Sequence, residues 1–306
     1  MKPFCDIASR NELADFLEVP RKALTYVLYV KKVENFYTSF GILKKDGNIR
    51  TIKAPSGELK SIQKKLASKL ESCQRNIWTG IGVNSNIAHG FKKGKSIVTN
   101  AQIHRNKKYI LNIDLQDFFD SFHFGRVRGF FEKNRNFALP IEVATVVAQL
   151  TCFEGCLPQG APTSPIITNL LCQILDNRLL KLAKRYKLDY TRYADDLTFS
   201  TNDKAFVERK DEFLCAIQKE IERAGFKINE KKTRLVYKDS QQKVTGLVVN
   251  QKVNVAQDYY RKTKAMAHSL YKKGEFTIDG QAGTIEQLGG RFSFINQLNC
   301  YNNQHD

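Results

Sequence analysis

The sequence predicts an α+β fold, and three observations carry that prediction. Runs with helical spacing interleave with short extended runs, without the regular strand–helix–strand alternation of a parallel sheet. Asp46-Gly47 stands between two extended runs and Ala194-Asp195-Asp196 between two others, each a signature of an antiparallel hairpin. Two apolar stretches, 141–150 and 166–182, have the length and composition of buried helices.

The elements follow in order. Ser9-Arg10-Asn11-Glu12 forms a capping box, with Ser9 accepting from the helix start and Glu12 reaching back to the cap. Pro20 is placed to open a second helix with Leu24, Val27 and Leu28 on one face. Phe36–Leu43 and Asn48–Ala54 are the arms of the first hairpin. Leu59, Ile62, Leu66 and Leu70 then recur at helical spacing. Tyr109–Ile113 is an apolar run ending in Asp114, which suits a buried strand. Tyr190–Tyr193 and Leu197–Ser200 are the arms of the second hairpin. Lys204–Ala224 has the pattern of an amphipathic helix stopped by Gly225, and Val244–Val249 that of a single strand.

Composition excludes several classes. The chain has 306 residues, a formal charge of +18, and 42% hydrophobic residues including 20 Phe and 12 Tyr, so it has the means to build a core and is not a disordered chain. No apolar run approaches the roughly 20 residues that span a bilayer, and the first residues carry acids where a secretion signal is apolar. Seven cysteines are scattered, and only Cys152 and Cys156 lie close, with no second pair to complete a zinc site, so reduced thiols in the cytoplasm are expected. The positive excess points to a polyanionic partner. It is concentrated at Lys92–Lys108, which holds no acid, and at Lys227–Lys264, where ten basic residues face only Glu230, Asp239 and Asp258.

The chemistry lies in the carboxylates. Asp114 ends an apolar strand, and Asp195-Asp196 sits in a tight turn that projects side chains from the end of a hairpin. Placed side by side, these acids repel one another and their pKa values rise. A pair of hard divalent cations relieves the repulsion and leaves room for nucleotide phosphates in the remaining ligand positions. An Asp-Asp turn by itself is also an ordinary polar turn.

The flanking residues decide between these readings. Tyr193-Ala194-Asp195-Asp196, between Tyr190-Thr191-Arg192 and Leu197-Thr198-Phe199-Ser200, resembles the catalytic hairpin of reverse transcriptases. Ile113-Asp114-Leu115-Gln116-Asp117-Phe118-Phe119 is similar to the motif that supplies the first metal-binding Asp. Leu157-Pro158-Gln159-Gly160-Ala161-Pro162-Thr163-Ser164-Pro165 resembles the template- and nucleotide-positioning motif. All three stand in the family's order. Asn100-Ala101-Gln102-Ile103-His104, Val244-Thr245-Gly246, 225–233 and 290–295 narrow the resemblance to the bacterial retron reverse transcriptases, over about 36–295.

The resemblance implies a right-hand polymerase fold with fingers, palm and a short C-terminal thumb. Residues 1–35 would be an N-terminal helical extension, 36–108 the fingers with the NAxxH region, 109–235 the palm with inserted fingers elements, and 236–306 an RNA-binding primer-grip region and thumb. It implies two Mg²⁺ ions, with Mn²⁺ as a substitute, held by Asp114, Asp195, Asp196 and the backbone carbonyl of Leu115. Arg50 and Lys45 would hold the triphosphate, and Gln159 and Gly160 would lie beneath the nascent pair. Phe119 would exclude a ribose 2′-hydroxyl. Lys232 would protonate pyrophosphate, with Lys231 the adjacent alternative. Asp117 and Asp120 are read as polar residues at a helix start.

Tyr259, Tyr260, Arg261 and Lys262 are expected at the RNA, and the resemblance implies that Asn100 and His104 are RNA-recognition or positioning residues. Taken by themselves, Asn100 and His104 read as a helix cap and a structural histidine. The implied activity is RNA-directed DNA synthesis on a cognate structured noncoding RNA, primed from an internal guanosine 2′-hydroxyl to give branched RNA–DNA (msDNA), in antiphage defence. The implied partners are that RNA and its msDNA, dNTPs, a host ribonuclease H acting on the template, and a separate effector protein, with no membrane. From the shortness of the stretch after Thr233, a small thumb is expected there and not a ribonuclease H or endonuclease domain as well. The competing readings are an intron-encoded or diversity-generating reverse transcriptase, and an RNA-binding scaffold that restrains a toxic effector.

Overall fold

The computed structural model describes residues 3–43, 47, 49–80 and 87–305. By backbone contacts it divides into two compact units, 1–86 with 115–178 and 219–227, and 87–114 with 179–218 and 228–306.

In the first unit, α1 (Arg10–Phe16) is capped by Ser9, whose hydroxyl accepts from the Glu12 amide at 3.2 Å. The Glu12 carboxylate reaches one residue further back than a standard box, to the Ala8 amide at 2.9 Å. Pro20 caps α2 (Arg21–Thr25), which loosens into a single π turn at Tyr26–Val30, and Leu24, Val27 and Leu28 are buried as the spacing predicts. Strands β1 (Tyr37–Leu43) and β2 (Ile49–Pro55) pair antiparallel from Tyr37↔Pro55 to Leu43↔Ile49. Asp46 lies outside the described residues.

Helix α3 (Gly57–Gly80) buries Leu59, Ile62, Leu66 and Leu70 along one stripe. Helices α5 (Phe124–Lys133) and α6 (Ile141–Thr151) follow, and α7 (Ser164–Arg185) begins in this unit. Two aromatic groups fill its interior. Phe4 meets Phe16, Phe131 and Phe137 at 5.2–6.2 Å between ring centroids. Phe118 meets Phe122 and Phe226, over both of which the Arg126 guanidinium lies.

In the second unit, α4 (Ile97–Ile103) is followed by β3 (Tyr109–Gln116), whose last two residues belong to the first unit. Strand β4 (Asp189–Tyr193) and β5 (Asp196–Thr201) form the second predicted hairpin, and β5 pairs antiparallel with β3. Helix α8 (Lys210–Arg223) is shorter than its sequence pattern, because Asp203 caps a separate 3₁₀ turn at Lys204–Phe206. Strand β6 (Lys227–Ile228) and β7 (Arg234–Tyr237) both lie on the other edge of β3, completing a sheet of order β4–β5–β3–β6 with β7 beside β3.

Val244–Val249 is not one strand but a tight hairpin, β8 (Lys243–Val244) and β9 (Leu247–Val248). Thr245 and Gly246 both take positive φ in the two-residue turn, at 46° and 86°. Helix α9 (Gln257–Lys273), the hairpin β10 (Thr277–Ile278) and β11 (Gln281–Ala282), and helix α10 (Ile285–His305) close the chain. Val98 and Ala101 of α4, Val244, Leu247 and Val249 around the small hairpin, and Ile295 and Leu298 of α10 share one core. Among the described residues no helix is long and apolar enough to cross a membrane.

Candidate active site

The site is built on β3 and the β4–β5 hairpin. Ile110, Leu111, Ile113 and Leu115 bury β3, and the register places Asp114 directly opposite Asp196. The hairpin turns through Ala194 and Asp195 alone, since Tyr193 pairs with Asp196. Ala194 stands in the left-handed region at φ 55°, where glycine is the ordinary residue, at a cost on the order of 1 kcal/mol.

The surroundings hold that strain in place. The buried guanidinium of Arg192 donates to the Ala194 carbonyl at 3.2 Å. The segment Ile87–Gly90 runs along β4: Arg192 N donates to Ile87 O and His89 N to Arg192 O, both at 2.8 Å. Gly90 packs so closely that an added Cβ would stand 2.5 Å from the Ala194 nitrogen. A methyl group there would have to displace the turn.

Asp114 is nearly buried and is held on two sides. Asn229 donates through its backbone to the Asp114 carbonyl at 2.8 Å and through its side chain to Oδ1 at 3.1 Å. Lys232, brought round by the turn in which Lys232 N and Thr233 N both donate to Asn229 O, places Nζ 3.2 and 3.1 Å from the two carboxylate oxygens. The sequence left Lys231 and Lys232 as alternatives, and it is Lys232 that meets the acid.

Asp196 keeps an exposed edge, yet the protein packed round it strips water from the carboxylate. That desolvation, then the charges of Asp195 and Asp114, raise its pKa to about 7, with Lys232 and Arg234 pulling the other way. Among the described residues no three acids, histidines or cysteines close around one ready-made ion position. The donors are nonetheless all hard oxygens, and the mutual repulsion written in Asp196 is what a divalent cation removes. A Mg²⁺ site keeps several waters and takes the rest from substrate phosphates, so two carboxylates are enough to hold one.

In the first unit, Arg50 lies exposed on β2 opposite Ile42. Three residues on, Lys53 N donates to the Gln159 carbonyl at 2.8 Å, while its ammonium pairs with Glu154 and lies over the Phe153 ring. Gly160 has φ 122°, and a Cβ there would stand 2.8 Å from Ile52 Cγ2 and 3.0 Å from Lys53 O, so only glycine fits. Phe119 is half-buried with its ring edge-on to Phe118 at 5.5 Å. The Leu115 side chain is buried at the end of β3. Asp117 and Asp120 are not at a helix start: α5 opens only at Phe124, capped by His123, and both acids lie in the preceding turns, Asp117 with φ 45°. Lys45 lies outside the described residues.

Of the residues expected at RNA, Tyr260, Arg261 and Lys262 are exposed on α9. Tyr259 instead packs edge-on to Phe294 with the Arg291 guanidinium over its ring. Asn100 and His104 have no exposed surface, so neither side chain presents an atom to an RNA in this conformation. The α4 cap is Ser96, in a box with Thr99, and not Asn100, which lies inside the helix. His104 Nδ1 lies 2.7 Å from Ser200 Oγ and Nε2 2.7 Å from Thr191 Oγ1.

Burial, with smaller contributions from Lys107 and His89, lowers the His104 pKa to about 3. The unfolded imidazole takes its proton near pH 6.5, so between these values the unfolded chain binds more protons and stability falls as pH falls. The expected slope from this residue is up to about 1.4 kcal/mol per pH unit. Denaturant titrations at pH 7, 6 and 5 should show a shallower slope for His104→Gln than for the wild type.

The sequence reading missed Ile87–Gly90, Arg192 and Asn229 as parts of this site. Asn229 and Arg192 carried a signal, Asn229 inside the 225–233 motif and Arg192 in the run that precedes Tyr193-Ala194-Asp195-Asp196, whereas Ile87–Gly90 carried none.

Residues 42–249 match the family model described as reverse transcriptase (RNA-dependent DNA polymerase). The retron Mx162 reverse transcriptase of Myxococcus xanthus is 36% identical over 95% of this chain and 64% of its own length. The retron Ec86 reverse transcriptase of Escherichia coli is 36% identical over 93% of this chain and 84% of its own. The chain thus spans slightly under two thirds of the first relative and most of the second. Among solved structures, telomerase from Candida albicans in complex with a fragment of telomeric RNA aligns with a TM-score of 0.53 and 13% identity, over 94% of this chain and 56% of that one. That likeness is one of fold, the right-hand polymerase fold.

Proposed function

The chain belongs to the reverse transcriptases of the retron type, and from that premise we propose that it copies part of a structured noncoding RNA into DNA, starting from an internal guanosine 2′-hydroxyl. The observation that carries the reading is the opposition of Asp114 and Asp196 across two paired strands, beside a strained turn that presents Asp195.

In this reading Asp114 and Asp195, with the Leu115 carbonyl, would hold two Mg²⁺ ions, and Asp196 completes the acidic set. Bound there, the ions would supply the positive charge that activates an attacking hydroxyl and stabilises a departing pyrophosphate. The chain's own groups do the rest. Arg50 and Lys45 grip the triphosphate, a task suited to a guanidinium's bidentate reach. Gln159 and Gly160 support the new pair, and the bond from Lys53 ties that loop to the strand bearing Arg50. Lys232, poised on Asp114, supplies a proton to the pyrophosphate. Phe119 restricts the sugar to the deoxy form.

The segment assignments follow: 36–108 as fingers, 109–235 as palm, and 236–306 as primer grip and thumb. Exposed Tyr260, Arg261 and Lys262 form part of the RNA surface, since structured RNA is recognised by shape, phosphates and 2′-hydroxyls. The product is msDNA. A host ribonuclease H trims the template, and the complex works in the cytoplasm with a separate effector in antiphage defence. The polymerase part of the reading is tested by extending a DNA primer annealed to an RNA template with Mg²⁺ and dNTPs. Full-length complementary DNA is expected, and its absence with a folded, RNA-binding protein would overturn the assignment.

A further inference from the structure

Side chains along a strand alternate between faces, and residues opposed across a ladder share one. Asp196, Thr198 and Ser200 of β5 therefore share a face with Thr191 of β4 and with Asn112 and Asp114 of β3. The acids form one rung of this face. The next rung is Thr191, Thr198 and Asn112, in which Thr198 Oγ1 donates to Asn112 Oδ1 at 3.2 Å and Asn112 Nδ2 donates to the Lys243 carbonyl at 3.2 Å. Ser200 stands one rung further down.

His104 closes this polar row from below. Its two ring nitrogens reach Ser200 and Thr191, one on each arm of the hairpin and offset diagonally by one rung. A neutral imidazole has one donor and one acceptor, and both are spent on these hydroxyls. The ring is itself rigidly mounted. It ends α4, whose first turn is fixed by the contact of Thr245 Oγ1 with the Ile97 carbonyl at 3.3 Å and by the shared core of Val98, Ala101, Val244 and Leu247. His89 Nδ1 meets Thr99 Oγ1 of the same helix at 2.8 Å.

We propose that His104 is a positioning residue for the acidic rung: it locks the two hairpin arms against sliding through Thr191 and Ser200, and the Thr198–Asn112 pair passes that constraint to Asp196 and Asp114. This rests on the reading that those acids serve polymerisation. It assigns the last residue of the Asn100–His104 motif to the geometry of the carboxylates and not to RNA contact. The packing of the Val244-Thr245-Gly246 turn on α4 is then part of the same mounting.

The test compares Thr191→Val, Ser200→Ala and His104→Leu with the wild type and with Asp195→Asn/Asp196→Asn, each assayed well below its own melting temperature. The first two remove one hydrogen bond with little change of volume. Each is expected to lower kcat about threefold to tenfold, the worth of one such bond, with KM for dNTP and Kd for RNA held within about twofold. The Mg²⁺ concentration giving half-maximal rate should rise in the same variants. Adding Ser200→Ala to His104→Leu should cost nothing further in kcat. Variants that melt earlier but keep the wild-type kcat and Mg²⁺ midpoint would overturn the proposal, as would weaker RNA binding with kcat intact. Should His104→Leu fail to fold, the two milder variants decide alone. A wild type that makes no DNA would sink the polymerase reading itself, whereas an active wild type with unaffected variants would sink only this one.

Discussion

Replacing Asp195 and Asp196 together by Asn is expected to lower DNA synthesis by about a thousandfold or more, the scale of losing charge stabilisation at a reacting centre. Asn keeps the size of the side chain and removes its charge, so the hairpin and its partners on β3 stay in place. RNA affinity should be unchanged or slightly higher, because two negative charges leave a basic chain. Stability should move the opposite way from activity. The Asp196 pKa lies above its ordinary value, which means that the fold disfavours the ionised form, and at pH 7.5 a neutral Asn removes that penalty. Asp196→Asn alone should therefore melt at a higher temperature than the wild type while being nearly inactive, the trade expected of a site built for function. Melting curves and primer extension on the same preparations check both halves. A variant that is less stable and inactive would mean that the acids are structural.

Phe119→Ala should change which nucleotide is used more than how fast. The ring is braced edge-on by Phe118, which is itself stacked on Phe226 and edge-on to Phe122, so Phe119 cannot swing aside without disturbing a buried cluster. Discrimination by such a ring comes from repulsion against the unwanted sugar. Its removal should raise the efficiency of ribonucleotide use relative to deoxyribonucleotide use by about a hundredfold, within the range that one well-placed contact gives. Single-nucleotide kcat/KM for dGTP and GTP on one template reads it directly. An unchanged ratio would return Phe119 to the ordinary core.

Both large hairpins were legible in the sequence because their signals are local. Asp46-Gly47 and Ala194-Asp195-Asp196 punctuate extended runs, and the pairing of β1 with β2 and β4 with β5 follows from that. The β8–β9 hairpin was hidden because its arms are only two residues each, too short to show a strand pattern of their own, and its turn uses Thr245 at positive φ, which no turn preference favours; Gly246 was the hint. Lys232 could not be told from Lys231 because the choice is made by a turn anchored on Asn229, far in sequence from the Asp114 it serves. The support beneath the Ala194 turn was invisible for the same reason: Ile87–Gly90 meets β4 about a hundred residues away, and nothing local says that Gly90 must lack a side chain. His104 carried a family resemblance but no sign of its surroundings, which depend on the strand face carrying Thr191 and Ser200.

The most direct measurement uses the protein copurified with RNA transcribed from its own upstream locus, given Mg²⁺ and labelled dNTPs. The account predicts labelled DNA that stays joined to RNA until a debranching enzyme is added, and none from Asp195→Asn/Asp196→Asn. DNA formed only from an added annealed primer would contradict 2′-primed synthesis, and tight RNA binding with no DNA would contradict the polymerase and leave a scaffold.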